Sequence, residues 1–115
     1  MTNPETARRI EIKDGDHTVA AAEVATSQEA GGTARASLHA ASGHVPPGSR
    51  ANLVNTVMDL PEVQASTRLE ATIPLGDAET LQRLRERTEV SVTRAAGSTA
   101  LVDANIPPGG PEHAW

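Results

Sequence analysis

The sequence predicts an α+β domain built on a mostly antiparallel, mixed sheet of about six strands with two helices. Two observations lead to this prediction. Short segments that alternate apolar and polar residues lie between Gly- or Pro-containing turns, which is typical of strands. Two further segments carry apolar residues at helical spacing and follow capping residues. In chain order the elements are β-β-β-α-β-α-β-β, and a chain of 115 residues suits a single domain.

We expect this domain to span residues 1–106, with a loose start at residues 1–6 and a flexible Pro/Gly-rich tail at residues 107–115. The chain has no Phe or Tyr, and its single Trp is the last residue, so aliphatic residues and alanine must form the core. Because alanine buries little apolar area, the core should be thin, which favours a homo-oligomer. A composition rich in alanine without structural meaning is an equal alternative.

The first three strands are predicted from alternation and from turn residues. A strand at residues 8–13 is followed by Asp14-Gly15, which indicates a hairpin to a partner strand at residues 18–25. The facing of that partner stays open, because its two valines point to opposite sides. A third strand is predicted at residues 33–41, where small apolar residues alternate with polar ones and would let another element pack closely.

The first helix is predicted after a Pro/Gly-rich loop at residues 43–48. Ser49 is a suitable N-cap, and the helix should end by Leu60 because Pro61 disfavours helical geometry in the residue before it. We interpret its apolar residues as a face toward the core, although they could also meet a partner protein: Leu53, Val54, Val57 and Met58.

The second half of the chain alternates strand, helix and two strands. A strand is predicted at residues 68–74, and Asp77 is then a good N-cap for a helix that continues to about residue 87. Two strands at residues 89–94 and 99–104 are joined around Gly97.

Composition excludes several classes of function. The chain has no cysteine, which excludes a disulfide framework, a thiol nucleophile and a cysteine-ligated metal. The net charge of −5 and the lack of an aromatic platform argue against nucleic-acid binding. No apolar run approaches the ~18 residues of a membrane span, and no export signal is recognisable. We therefore expect a cytoplasmic protein that contacts neither membrane nor nucleic acid.

The loop before the first helix is the one place where the sequence suggests ligand binding. A strand leads into it and a helix begins directly after it, so backbone N–H groups with partial positive charge lie there and suit a phosphate. Gly48 would let a ligand approach closely, and Arg50 in the first turn could add a bidentate contact. The simpler alternative is that the prolines merely begin the helix.

The order of elements resembles the core of the GCN5-related N-acetyltransferases (GNATs). In that family the loop after the long central strand follows the pattern Arg/Gln-x-x-Gly-x-Gly/Ala, and its backbone amides hold the pyrophosphate of acetyl-CoA. The corresponding segment here is Val45-Pro46-Pro47-Gly48-Ser49-Arg50, followed by Ala51. Gly48 matches the first glycine, whereas Val45 stands in place of Arg/Gln and Arg50 in place of Gly/Ala.

This resemblance covers residues 8–104 and has several implications. It implies binding of acetyl-CoA or another acyl-CoA by the residues of the matching loop: Val45, Gly48, Ser49, Arg50 and Ala51. It also implies a member truncated at the N-terminus, without the family's first strand and the two helices beside the acceptor, and with a degenerate loop. Pro46 and Pro47 lack N–H donors, Arg50 would enter the space of the pyrophosphate, and the chain has no tyrosine to act as general acid. We therefore expect a binding protein rather than an enzyme; if it is an enzyme, it is an acyltransferase.

Histidines offer a weaker indication of chemistry. His44-Val45-Pro46-Pro47 is similar to the His-x-Arg-Pro turn of the histidine-containing phosphocarrier proteins, but Pro46 replaces the arginine. His44 is the first candidate for a general base because of its place beside the loop. Neither His39 nor His44 has a ligand partner at metal-binding spacing, so no metal site is predicted.

Two hypotheses of different classes follow from the sequence. The first is a degenerate GNAT-like protein that binds an acyl-CoA or a nucleotide. The second is a non-enzymatic protein–protein interaction module that acts as a homo-oligomer through exposed strands, with no identifiable protein partner.

Overall fold

The computed structural model describes residues 5–27, 32–40 and 45–107, and it confirms the predicted α+β fold. Six strands form one sheet in the spatial order β1-β2-β3-β4-β6-β5. Only the pairing of β3 with β4 is parallel among the five neighbouring pairs, so the sheet is mixed and mostly antiparallel. The strands are β1 Glu5–Asp14, β2 His17–Ser27, β3 Thr33–Ala40, β4 Arg68–Pro74, β5 Glu89–Ala96 and β6 Thr99–Asn105.

Three helices are described: α1 Ser49–Met58, α2 Pro61–Gln64 and α3 Ala78–Arg87. The sequence predicted α1 and α3 but not α2, which is a single turn. Leu60 is extended, with φ −63° and ψ 134°, as expected for a residue before proline, and Pro61 then occupies the first helical position. The proline therefore ends one helix and begins another, and α1 ends at Met58, two residues before the predicted limit.

The strand predictions are confirmed, with differences at the ends. The bounds of β4 agree with the prediction, whereas β1 begins at residue 5, inside the segment predicted to be loose, because Glu5 pairs with Ser27. Backbone pairing in a long hairpin needs no apolar side chain, so alternation alone could not predict this extension. The predicted end of β3 at residue 41 and the tail from residue 108 lie outside the described residues.

The core lies between one face of the sheet and the helices. The register aligns Val24, Ala36, Ala71 and Val102 across four neighbouring strands, and all four are buried. This settles the facing of β2, because Val24 points toward the helices. Alanines in this row let α1 approach the sheet closely. The apolar face of α1 packs into the core as predicted, together with one residue each of α2 and α3: Leu53, Val54, Val57, Met58, Val63 and Leu84.

The opposite face of the sheet, which we call the helix-free face, carries ion pairs between neighbouring strands. Right-handed connections explain the one-sided arrangement, because β3-α1-β4 and β4-α3-β5 both advance in the same direction along the sheet. The pairs on this face are Arg9–Glu23, Arg35–Glu70 and Arg68–Asp103. They are exposed, so each contributes only about 0.2–1 kcal/mol to stability.

Candidate functional site

The two parallel strands separate at their carboxyl ends. β3 and β4 pair over five residues, from Thr33 with Arg68 to Ser37 with Thr72. Beyond that point β3 continues to pair with β2 up to Ala40, and β4 continues to pair with β6 through residue 74. The pairing of β3 with β4 therefore ends before residues 38–40 and residues 73–74, and we call the place between these two segments the gap. Ligands commonly bind beyond the carboxyl ends of parallel strands in open sheets.

Two helix N-termini lie at this same edge of the sheet. α1 begins after β3, and its N-cap is Gly48 in the left-handed conformation, with φ 86°. The Gly48 carbonyl accepts a hydrogen bond from the backbone N–H of Asn52 at 2.9 Å. α3 begins after β4, and the side chain of Asp77 caps it by accepting hydrogen bonds from the backbone N–H of Thr80 at 3.2 Å and from its hydroxyl at 2.7 Å. The N-cap prediction is thus confirmed for Asp77.

The sequence prediction of Ser49 as the N-cap of α1 is wrong. Gly48 takes that position, and Ser49 is the first helical residue, with only 8% of its surface exposed. The Ser49 backbone N–H donates to the carbonyl of Pro46 at 3.2 Å, which tightens the turn before the helix. A glycine is needed at residue 48 because a positive φ places a Cβ too close to the backbone.

Protein carboxylates from α3 reach the first turn of α1. The backbone N–H of Ala51 donates to Oε2 of Glu79 at 3.2 Å. Nε of Arg50 lies 3.3 Å from Oδ2 of Asp77, an ion pair without hydrogen-bond geometry. The Asp77 side chain is 7% exposed, so it is held inside the protein rather than in solvent. The amide predicted to meet a phosphate is therefore engaged by a carboxylate of this chain, and Nε of the predicted cation lies beside a second carboxylate.

A groove of about 310 Å³ runs between α1 and α3 at this edge. Its lining residues are Gly48, Ala51, Glu79, Gln82, Arg83 and Glu86. Nη1 of Arg83 pairs with Oε1 of Glu86 at 2.9 Å, so its charge is compensated within the groove. With two glutamates against one arginine, the groove is acidic.

The far ends of the two helices are held together by Arg87. Its guanidinium donates to Oδ1 of Asn55 at 2.9 Å and to Oδ1 of Asp59 at 2.7 Å. These contacts fix α3 beside α1, so the width of the groove at their N-termini is set by packing at both ends. This role of Arg87 has no local sequence signal, because its partners are 28 and 32 positions away along the chain.

The loop residues predicted to bind a cofactor come together in the fold. Gly48 is the N-cap of α1, its first turn contains Ser49, Arg50 and Ala51, and Val45 lies half-buried before it. Glu79 was not predicted to belong to the site. It follows the Asp77 cap by two residues, but its contact with Ala51 spans 28 positions and has no local sequence signal.

The predicted general base His44 lies outside the described residues. His39 is on the helix-free face near the gap, and its Nε2 is 3.4 Å from Oε1 of Glu23. Among the described residues, no three histidines or carboxylates are grouped as metal ligands would be. No helix in the described ranges has the length and apolar character needed to cross a bilayer.

Comparison with solved structures decides which fold this is. A proposed acetyltransferase from Sphaerobacter thermophilus superimposes with a TM-score of 0.61 and 14% identity, over 93% of this chain and 68% of that one. The protein yncA from Salmonella typhimurium, a proposed acetyltransferase solved with its cofactor acetyl-CoA, superimposes with a TM-score of 0.60 and 10% identity, over 91% of this chain and 66% of that one. The chain has a GNAT-like fold.

The GNAT resemblance inferred from element order is therefore confirmed at the level of fold. About a third of each neighbour's length has no counterpart in this chain. No protein-family model matches the sequence, and no curated protein matches it either.

The loop of this GNAT-like chain does not fit the diphosphate of acetyl-CoA. Glu79 places a carboxylate on the amide of Ala51, where a phosphate oxygen would have to accept. Pro46 and Pro47 have no N–H to donate.

Proposed function

We propose that this chain binds an acyl thioester, with the acyl group and its uncharged arm in the gap between β3 and β4. The observation that carries the proposal is the end of pairing after Ser37 and Thr72, while both strands continue with their outer neighbours. Backbone groups that face the gap can hydrogen-bond an extended chain as a neighbouring strand would.

The pantetheine arm of an acyl thioester has the chemistry this gap requires. It is an extended, uncharged chain with two amides, each of which offers one donor and one acceptor. Such groups suit strand edges, whereas a charged ligand would lose hydration there without a compensating partner. The solved structure of yncA with acetyl-CoA, on the same fold, supports a thioester as the ligand class.

Backbone amide NMR with S-acetylpantetheine tests this proposal. We expect progressive shifts at residues 38–40 and at residues 73–77. Little change is expected at Thr67 and Ile106, which are hydrogen-bonded to each other at the opposite edge of the sheet and serve as an internal reference. Shifts spread evenly over the chain, or none at millimolar ligand, would contradict binding in the gap.

Acyl transfer to an amine is a second candidate function, favoured by a specific arrangement on the helix-free face. A concavity of about 490 Å³ crosses β1–β4 there, and Ser37 and Thr72, the last pair before the gap, are among its lining residues. His39 follows the lining residue Ser37 by two positions on the same face of β3, and its Nε2 is 3.4 Å from Oε1 of Glu23, which also lines the concavity. An imidazole oriented by a carboxylate can take the proton from an amine as it attacks the thioester carbonyl and the thiol departs.

Two exposed histidines provide a matched pair of variants for this second candidate. His39→Ala should abolish release of free thiol from S-acetylpantetheine in the presence of an amine, while the amide shifts on binding persist. His17→Ala, in the β1–β2 hairpin three residues before the Ala20–Ala40 pair, should have no effect. Equal activity of both variants would exclude His39 as the base.

A further inference from the structure

We propose that the thioester this chain binds is a pantetheine derivative without a nucleoside diphosphate, and that Glu79 is the residue that sets this preference. The inference rests on the proposed function and deepens it by naming the donor class. Its premise is geometric: the place where a diphosphate would meet α1 is filled by a carboxylate of α3.

Glu79 provides the negatively charged hydrogen-bond acceptor that an anionic ligand would otherwise provide to the first turn of α1. Its Oε2 accepts from the Ala51 N–H at 3.2 Å, in the first turn of α1, where the helix dipole favours negative charge. A phosphate entering this place must displace the carboxylate and then remain within a few ångströms of it. Two like charges at that separation repel, so displacement alone does not remove the conflict.

Arg50 does not compensate for this repulsion. It is paired with Asp77, whose side chain is 7% exposed. The same carboxylate caps α3 through the N–H and the hydroxyl of Thr80. Nε of Arg50 lies 3.3 Å from Oδ2 of Asp77, so turning the whole side chain toward a ligand would separate this cation from a carboxylate that the cap holds in place.

The remaining charges in the groove also disfavour an anionic ligand. Glu86 is a second carboxylate, and Arg83, the cation among the described lining residues, is paired with it at 2.9 Å. A ligand that ends at the pantetheine arm avoids the groove altogether. A ligand that continues into a diphosphate must cross it.

Two thioesters that differ only at this end test the inference: S-acetylpantetheine and acetyl-CoA, each titrated by amide NMR and calorimetry. For the natural chain we expect the Kd for S-acetylpantetheine to be lower by about tenfold or more. Glu79→Gln keeps an oxygen acceptor for Ala51 and removes only the charge. It should lower the Kd for acetyl-CoA by about tenfold, which corresponds to about 1.4 kcal/mol of binding free energy. The Kd for S-acetylpantetheine should stay within about twofold of its value for the natural chain.

Glu89→Gln is the matched control, since it removes the same charge from an exposed position outside the groove. It should change neither Kd. Amide spectra of both variants confirm that the fold is retained. If Glu89→Gln improves acetyl-CoA binding as much as Glu79→Gln does, the preference is a property of net charge and the role of Glu79 is excluded.

Failure of the inference and failure of the proposed function have different results. If the natural chain binds both thioesters with equal Kd and Glu79→Gln changes neither, the donor preference is overturned while thioester binding stands. If S-acetylpantetheine does not bind the natural chain, the proposed function fails and the inference fails with it.

Discussion

The guanidinium of Arg87, in the last turn of α3, donates a hydrogen bond to Oδ1 of Asp59 at 2.7 Å, directly beyond the end of α1. A second bond to Asn55 at 2.9 Å completes the contact. Asn55 is half-buried, whereas Asp59 is mostly exposed. Together they hold two helices that are joined in sequence through α2 and β4.

Arg87→Ala should therefore lower the free energy of unfolding by about 1–2 kcal/mol, because a charged donor to a half-buried amide is lost. Urea denaturation followed by circular dichroism measures the change. Arg85→Ala, at an exposed position of the same turn, is the control and should stay within about 0.5 kcal/mol of the natural chain. Equal losses in the two variants would contradict a specific role for Arg87.

The free energy of unfolding should depend on which residue replaces Asp77. Asp77→Ala removes the α3 cap and the partner of Arg50, and we expect a loss of about 1–2 kcal/mol in unfolding free energy. Asp77→Asn keeps a capping oxygen and loses the charge, so most of the cap contribution should remain. Thermal or urea unfolding of both variants separates the two contributions, and identical losses would mean that the ion pair, not the cap, dominates.

Gly48→Ala should destabilise the protein for conformational reasons alone. No atom lies within 4 Å of the Cβ that alanine would add, but the φ of 86° is unfavourable for a residue with a Cβ. We expect a loss of about 1–2 kcal/mol, and a smaller loss for Gly48→Asn, since asparagine tolerates this region better. Equal stability of glycine and alanine at this position would show that the backbone relaxes to another conformation.

The Glu11 carboxylate provides a test by pH. A hydrogen bond from the Arg9 side chain at 2.9 Å lowers its pKa from the ordinary value of 4.5, with a smaller contribution from Lys13 at 3.9 Å. Because the folded pKa is the lower one, this pair stabilises the fold above the ordinary pKa, and the contribution disappears as pH falls through the folded pKa. In a carbon-detected NMR titration, Arg9→Gln should raise the pKa of Glu11 more than Lys13→Gln does.

The expected homo-oligomer stays a prediction, and its physical reason is the alanine-rich core. Five of the core alanines lie in β2, β3 and β4, where larger side chains would bury more area: Ala20, Ala22, Ala34, Ala36 and Ala71. Light scattering over a concentration series should give a mass of at least two chains at high concentration. A single-chain mass throughout would show that the core suffices alone.

The sequence predicted those elements that depend on residues close together in the chain. The bounds of β4 follow from alternation, and the start of α3 follows from the Asp77 cap. The one-turn helix α2 was missed because Pro61 was interpreted only as the end of α1, although proline also favours a helix start.

The candidate site was predictable only in part. The first turn of α1 was recognisable as a place for an anion, since glycine and a helix start are adjacent in sequence. The carboxylate that fills it comes from another helix, and the end of β3–β4 pairing depends on how two strands separate in space. Neither the Glu79–Ala51 contact nor the end of β3–β4 pairing produces a periodic pattern in the sequence, so neither could be predicted from a single sequence.

The double attachment of Asp77, to Thr80 and to Arg50, limits the order in which substitutions could change this site. Exchanging Asp77 to release Arg50 would first weaken the start of α3, so variants that begin there lose stability before they gain a phosphate ligand. Exchanging Glu79 leaves that cap intact, and it removes the carboxylate charge beside the amide of Ala51 in a single step. A laboratory selection for nucleotide binding in this chain should therefore recover changes at residue 79 early and changes at residue 77 late or never.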